Sequence, residues 1–255
     1  MTTNQKMNAY LQRIGVTGPV KPDYETLCTL QLNHLLHVPY ENVDIVRDIP
    51  LSLEVDAIYD KVVTRGRGGY CFELNALFAW LLRNLGYQVK DYMGRFLINE
   101  TVLPPMRRHR ILGVTIDGEM YLADVGVGMV IPRVPFAIKP GVVSHQNGEQ
   151  WKLEVEPFYG YVLYELKEDG WRALYSFTEE EQAEIDYVMP SFWCEKSPDS
   201  IFRAGDKIHI FTKDGRKSVA GREVKIFSPS GVEVILPQTD AEYYELLKVH
   251  FGIKL

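Results

Sequence analysis

Residues 65–86 read RGRGGYCFELNALFAWLLRNLG. Glycines at 66, 68 and 69 interrupt any regular element, and from Tyr70 onward the pattern turns helical. Leu74, Leu77, Phe78, Leu81, Leu82 and Leu85 recur on one face, which Ala76, Ala79 and Trp80 widen. Gly86 is placed to end the helix. A helix this apolar belongs at the centre of its domain, so whatever stands at its N-terminus is held rigidly. That residue is Cys71. Unpaired backbone N–H groups and the positive end of the helix dipole favour an anion there, which eases loss of a thiol proton. A lone cysteine at a tight turn is also commonly a small buried hydrophobe. The rest of the chain has to distinguish a nucleophile from a packing residue.

On the N-terminal side the chain reads as helices. Asp23 can cap a helix that follows Pro22, carries Leu27, Leu30 and Leu35, and stops before Pro39. His34 and His37 share one face of it, but no matching carboxylate or cysteine motif accompanies them, so they read as packed or surface residues rather than metal ligands. Ser52 can start a further helix over about 53–64, with Val55, Ile58, Tyr59 and Val62 at helical spacing.

From Tyr87 the period changes to two, and strands are expected to about residue 176. Within residues 111–128, ILGVTIDGEMYLADVGVG, the pair Asp117-Gly118 separates two alternating runs and signals a two-residue hairpin. If Ile116 pairs with Glu119, carrying the register outward sets Ile111 opposite Asp124 and His109 opposite Gly126. His109 and Asp124 are then diagonal neighbours on one face, with Cβ atoms about 7–8 Å apart. A three-residue loop with a bulge would put them on opposite faces instead.

A thiolate nucleophile needs an imidazole to take its proton, and the imidazole needs a carboxylate to fix its tautomer. Cys71, His109 and Asp124 make such a set. The competing reading is a solvated strand-end His109 among Arg107, Arg108 and Arg110, with Asp124 merely capping a glycine turn. That basic cluster could also meet phosphates.

Composition narrows the classes. The chain has 255 residues, 46% of them apolar, enough for a large core. A net charge of −6 gives no reason to expect nucleic acid, and no apolar run is long enough for a membrane span. The N-terminus, MTTNQKMNAYLQR, lacks the apolar core of a signal peptide, so a cytoplasmic location is expected. Cys28, Cys71 and Cys194 are odd in number and widely separated, which fits reduced thiols and offers no zinc site. No signal for an oligomeric state is present.

The stretch RGRGGYCFELN, the His109 strand and the Asp-Val-Gly-Val-Gly run at 124–128 together resemble the arylamine N-acetyltransferases. That family's pattern is Arg-Gly-Gly-aromatic-Cys, then a histidine, then an aspartate followed by Gly-Phe-Gly. Pro39-Tyr40-Glu41-Asn42 looks like the family's Pro-Phe-Glu-Asn segment, Ser197 to Phe202 like its Ser/Pro-Asp-Ser-Phe region, and Phe251-Gly252-Ile253 like its terminal helix ending. The resemblance implies an α+β fold around a thiol-protease-like catalytic core. Its parts would be an N-terminal helical bundle (1–86) bearing Cys71, a central β-barrel (87–195) bearing His109 and Asp124, and a C-terminal α/β lid (196–255). Within the lid, residues 207–212 and 222–227 read as strands, Asp214-Gly215 and Pro229-Ser230-Gly231 as turns. Asp240 is expected to cap a final helix carrying Tyr243, Tyr244, Leu247 and Phe251. The Glu-rich segment 178–186 reads as a solvated helix between barrel and lid.

The activity implied by the resemblance is acetyl transfer from acetyl-CoA, as co-substrate, to the nitrogen of an arylamine or arylhydrazine, by double displacement through acetyl-Cys71 and without a metal. His109 would relay protons and Asp124 would orient it. Arg67 would have a structural role, paired with Glu41. Gly126 and Gly128 would admit the pantetheine arm, with Arg107, Arg108, Lys207, Lys213, Arg216 and Lys217 as candidates for its phosphates. Tyr70, Phe72, Val127, Phe192 and Phe202 would line the acceptor pocket. Val127 departs from the family's phenylalanine, which implies a wider pocket or weaker stacking on the acceptor. A thiol hydrolase or transglutaminase-like enzyme would use the same Cys-His-Asp order. A non-catalytic ligand-binding protein would not require all three groups.

Overall fold

In the computed structural model, which describes residues 1–98, 100 and 103–255, the second helix starts where its cap places it. The Asp23 carboxylate accepts the Thr26 N–H at 2.8 Å, and the helix runs Tyr24–His37 before the chain meets Pro39. It follows a first helix, Thr3–Arg13. The helix expected over about 53–64 is two pieces, an α-helix Val55–Tyr59 and a π turn Asp60–Thr64. Ser52 Oγ accepts the Glu54 N–H just ahead of it, at 3.2 Å.

These elements surround the helix Cys71–Asn84. Leu74, Leu77, Phe78, Leu81 and Leu82 are fully buried in it, each stabilising the fold by about 1.5–3 kcal/mol. Leu77→Ala would therefore cost about 2–5 kcal/mol. The core around this helix continues into the strands through Tyr92, Ile111, Leu112, Val114 and Trp151, so bundle and sheet share one interior.

The barrel-like sheet has eight antiparallel strands, and from Gln88 to Phe177 the chain is mostly strand. Its strands His109–Ile116 and Glu119–Ala123 pair from Ile116–Glu119 out to Leu112–Ala123, the register that Asp117-Gly118 implies. Both turn residues have positive φ, 51° and 81°, as a type I′ turn requires.

A second sheet carries four consecutive strands, Lys207–Thr212, Gly215–Ala220, Glu223–Ser228 and Gly231–Ile235. Sequence reading missed the second, whose Arg216-Lys217-Ser218 run is polar, and the fourth, a short run whose Val232-Glu233-Val234 alternation is exposed on both faces. Its fifth strand is Tyr40–Glu41, which pairs with Ile208–His209, so residues from the N-terminal segment complete the C-terminal sheet. The last helix, Asp240–Phe251, is capped by Thr239 rather than Asp240. Thr239 Oγ1 accepts the Glu242 N–H at 3.2 Å, while Asp240 pairs with Arg222 at 2.6 Å.

Residues 178–183 are irregular, and a 3₁₀ turn Glu184–Tyr187 leads into the helix Val188–Lys196, so the expected solvated helix is not there. The physical reason is Arg110. Its buried guanidinium holds both Glu184 carboxylate oxygens, at 2.8 and 2.6 Å, and makes part of the acidic run an anchor.

Candidate active site

Cys71 is the first residue of its helix, and Tyr70 is the N-cap. The loop before it is locked by close backbone packing. A Cβ at Gly68 would sit 1.9 Å from the Pro39 carbonyl oxygen, so only glycine fits, and the Gly69 carbonyl accepts the Glu41 N–H at 2.8 Å. Beneath the loop lies a buried charge network. Arg67 donates to Glu41 at 3.0 Å and to Asp44 at 2.9 Å. Lys61 reaches Asp44 and Glu73 at 2.8 Å each. Glu73 also accepts the Tyr70 N–H at 3.1 Å, which closes the network onto the start of the cysteine helix. Burial would raise Asp44, but Lys61 and Arg67 together hold its carboxyl below the usual range; burial wins at Glu73 and pushes it up. Glu41 and Arg67 thus meet as the resemblance implied, whereas Lys61, Asp44 and Glu73 carried no sequence signal.

His109 and Asp124 meet where the hairpin register brings them. His109 Nε2 lies 2.7 Å from Asp124 Oδ2, so Nε2–H donates to the carboxylate. The ring packs between Phe96 and Tyr175, at centroid distances of 4.7 and 5.2 Å. Its Nδ1 is buried and has no hydrogen-bond partner among the described residues. The other oxygen of Asp124 accepts from Asn75 Nδ2 at 2.8 Å and from the Gly126 N–H at 2.9 Å. Asn75 also donates to the Arg110 carbonyl at 2.6 Å and accepts the Val125 N–H at 2.9 Å. Gln31 accepts the Asp124 N–H at 3.2 Å. Asn75 was findable from sequence, since it stands one helical turn after Cys71 on the same face. Gln31 was not.

The Cys71 thiol meets the carbonyl of Arg108, the residue before His109, at 3.7 Å. Burial pushes this thiol well up, Cys194 and Asp124 add to the rise, and the backbone N–H groups of Arg110 and Phe72 only partly oppose it. The expected lowering by the helix N-terminus is therefore overturned. A helix dipole contributes about 0.3–1 kcal/mol, less than one pKa unit, whereas full burial can shift a group by about 3–5 units. Loss of the thiol proton therefore calls for a base.

Cys71 opens onto a cleft of about 490 Å³ lined also by Tyr40, Phe96, Glu100, Arg108, Gly126, Val127, Gly128, Phe202 and Lys207. Gly126 and Gly128 are required by packing as much as by any ligand. A Cβ at 126 would lie 2.7 Å from Cys71 Cα, and one at 128 would lie 2.5 Å from the Tyr40 ring. Of the five aromatic or apolar residues assigned to an acceptor pocket, Val127 and Phe202 line the cleft. Tyr70 and Phe72 are fully buried behind it, with Tyr70 edge-on to both Phe72 and Phe202. Phe192 is 59% exposed and does not line the cleft. Of the six candidate bases, Arg108 and Lys207 line the cleft. Arg107 pairs with Glu180 at 2.9 Å, Arg216 stacks on Phe227, Lys217 reaches the His250 carbonyl, and Lys213 lines a different cleft. Among the described residues no cluster of three His, Cys, Asp or Glu side chains could hold a metal, and no helix is long and apolar enough to cross a membrane.

A family model described as N-acetyltransferase matches residues 23–255. The arylamine N-acetyltransferase of Mycobacterium tuberculosis is 34% identical over 255 residues, covering 98% of this chain and 89% of the relative. The chain belongs to the arylamine N-acetyltransferase family. As a member it is an enzyme of the acyltransferase class. A relative from Salmonella typhimurium, named arylamine N-acetyltransferase / N-hydroxyarylamine O-acetyltransferase, is 29% identical across 97% of this chain and 88% of its own. The solved arylamine N-acetyltransferase structure from Salmonella typhimurium superimposes with a TM-score of 0.92 at 29% identity, over 99% of this chain and 92% of that one. The Mycobacterium marinum arylamine N-acetyltransferase in complex with CoA gives a TM-score of 0.89 at 33% identity, over 97% and 92% of the two chains. Helical bundle, barrel-like sheet and lid sheet are therefore the arylamine N-acetyltransferase architecture.

Proposed function

We propose that the chain transfers an acetyl group from acetyl-CoA to the nitrogen of an arylamine or arylhydrazine through an acetyl-Cys71 intermediate. One observation carries this reading: His109 donates its Nε2–H to Asp124 in a hydrogen bond and keeps Nδ1 buried and, among the described residues, unpartnered, while the carbonyl of the residue before it meets the Cys71 thiol. A buried acceptor without a partner costs free energy, and the thiol lies against the carbonyl of the residue next to His109, so Nδ1 fits a base kept free for the thiol proton.

In the first half-reaction Cys71 Sγ attacks the thioester carbonyl carbon as its proton passes to His109 Nδ1. The C–S bond to CoA breaks, and the CoA sulfur leaves with the proton from the imidazolium. Thioester exchange conserves bond type, so sulfur suits this step. In the second half, the acceptor nitrogen attacks the acetyl-cysteine and gives a proton to His109. The Cys71 sulfur then leaves and recovers that proton. The backbone N–H of Cys71, at the start of its helix, is assigned to the oxyanion. Lys207 supplies positive charge along the cleft for the CoA phosphates, Arg108 being paired with Glu100, and Val127 and Phe202 supply an apolar wall for the acceptor.

Intact-protein mass spectrometry after incubation with acetyl-CoA alone tests this. The expected result is one acetyl group on Cys71, discharged by adding an arylamine. No adduct from acetyl-CoA, but one from a peptide ester, would replace this reading with a thiol hydrolase.

A further inference from the structure

Four arginines are buried in the described structure, and three of them carry a carboxylate. Arg67 pairs with Glu41 and Asp44, Arg108 with Glu100, and Arg110 with Asp91 and Glu184. Arg133 is the exception among the described residues. It is 7% exposed, its NH1 and NH2 donate only to the backbone carbonyls of Thr212 and Gly215, at 2.9 and 3.3 Å, its Nε is buried with no hydrogen-bond partner, and its guanidinium lies over the Phe211 ring at 4.6 Å. A buried charge left in this way is costly.

Arg133 lines a cleft of about 320 Å³ at the junction of the Tyr24–His37 helix, the barrel-like sheet and the lid. Leu32 and Leu36 form an apolar wall, and His145, Asn147 and Lys213 add polar and basic groups. Lys213 makes no ion pair among the described residues. Glu149 and Asp214 lie within electrostatic reach of Arg133, as does a further cation, Arg216, but neither carboxylate makes an ion pair with it. Glu149 is itself an incomplete counter-ion, since its buried Oε2 has no partner and burial pushes its carboxyl up towards the neutral form. Lys207 borders the cysteine cleft, and Lys213 lies just past the other end of the same strand, roughly 20 Å away at the usual rise per residue. The two clefts are separate.

We propose that this second cleft binds a small anion of the phosphate or phosphate-ester class, its charge placed against Arg133 and Lys213 and any short apolar group against Leu32 and Leu36. The anion supplies the direct ion pair that no carboxylate among the described residues makes with Arg133. Because Arg133 also braces the Thr212 and Gly215 carbonyls at the turn between the first two lid strands, occupancy fastens the lid to the barrel-like sheet.

Isothermal titration calorimetry on the whole protein at constant ionic strength, with inorganic phosphate and with butyl phosphate, tests the site. Saturable binding is expected for both, tighter for butyl phosphate because its alkyl group reaches the leucine wall. Lys213→Gln, a surface change that folding tolerates, should weaken it about tenfold, the loss of one charge-assisted contact. Arg133→Gln should abolish it if the variant folds, and Lys213→Gln decides the matter if it does not. Lys207→Gln, in the cysteine cleft, should leave it unchanged. Absence of saturable binding, binding indifferent to Lys213→Gln, or binding lost in Lys207→Gln would each overturn the proposal.

Discussion

Asn75 donates to Asp124 Oδ1 at 2.8 Å, and through that bond the helix that begins at Cys71 is fastened to the carboxylate that holds His109. The same amide holds the Arg110 carbonyl and the Val125 N–H, so it spans both strands of the hairpin. Replacing Asn75 with leucine leaves Asp124 short of a donor and two backbone groups unsatisfied. A loss of about 2–4 kcal/mol is expected in denaturant unfolding. Slower acetylation of Cys71 in the fraction that remains folded would mark Asn75 as a positioning residue, whereas an unchanged rate would confine it to stability.

His109→Gln removes the base while keeping an amide of similar reach. Because burial pushes the Cys71 thiol up, its reactivity depends on that base. Alkylation by iodoacetamide at neutral pH should favour Cys71 over Cys194, whose thiol is pushed up to about 12 by burial. In the variant this preference should vanish, and acetylation by acetyl-CoA should fall by about 10²–10⁴. Labelling of Cys71 at equal rates in both proteins would show that His109 does not activate it.

Arg67→Met removes one of the network's two cations. Glu41, fully buried, then loses its ion pair, and Asp44 is left to share Lys61 with Glu73. A cost of about 3–5 kcal/mol is expected, visible as a drop in the denaturation midpoint. Adding Glu41→Gln should recover part of it, because the uncompensated charge is what destabilises; no recovery would argue against charge as the cause.

Val127 borders the cleft beside Cys71 and is buried. Val127→Phe is expected to narrow the cleft there and shift kcat/KM between small and bulky arylamines by about tenfold, in favour of the small ones. Equal effects on every amine tested would mean that residue 127 does not touch the acceptor.

His34 and His209 are buried, and burial, aided by nearby cations, holds each down to about 3. Their folded values lie below the unfolded value near 6.5, so the unfolded chain binds protons that the folded chain refuses. Stability is therefore full above about pH 6.5 and falls as the pH drops towards 3, by about 2 kcal/mol for each histidine at pH 5. Denaturant titrations at pH 7 and pH 5 should show this drop, and His209→Asn should remove about half of it. A stability independent of pH over that interval would mean that one or both histidines accept protons in the fold.

Sequence alone carried the parts of this protein that depend on near neighbours. The 3.6-residue period after Tyr70 placed Cys71 at a helix start, Asp23 placed a cap, and Asp117-Gly118 set a hairpin register that brings His109 to Asp124, because turn geometry and side-chain alternation are local constraints. Family resemblance paired Arg67 with Glu41. Tertiary structure decided what depends on distant packing. It placed Tyr40–Glu41 in the lid sheet, drew Glu184 onto Arg110, put Phe192 on the outside and Tyr70 in the core, and joined Lys61, Asp44 and Glu73 under the cysteine loop. It also reversed the expected effect on the Cys71 thiol. The helix dipole is written in the chain's own backbone, but desolvation depends on every element that closes over the sulfur, and here desolvation is the larger energy.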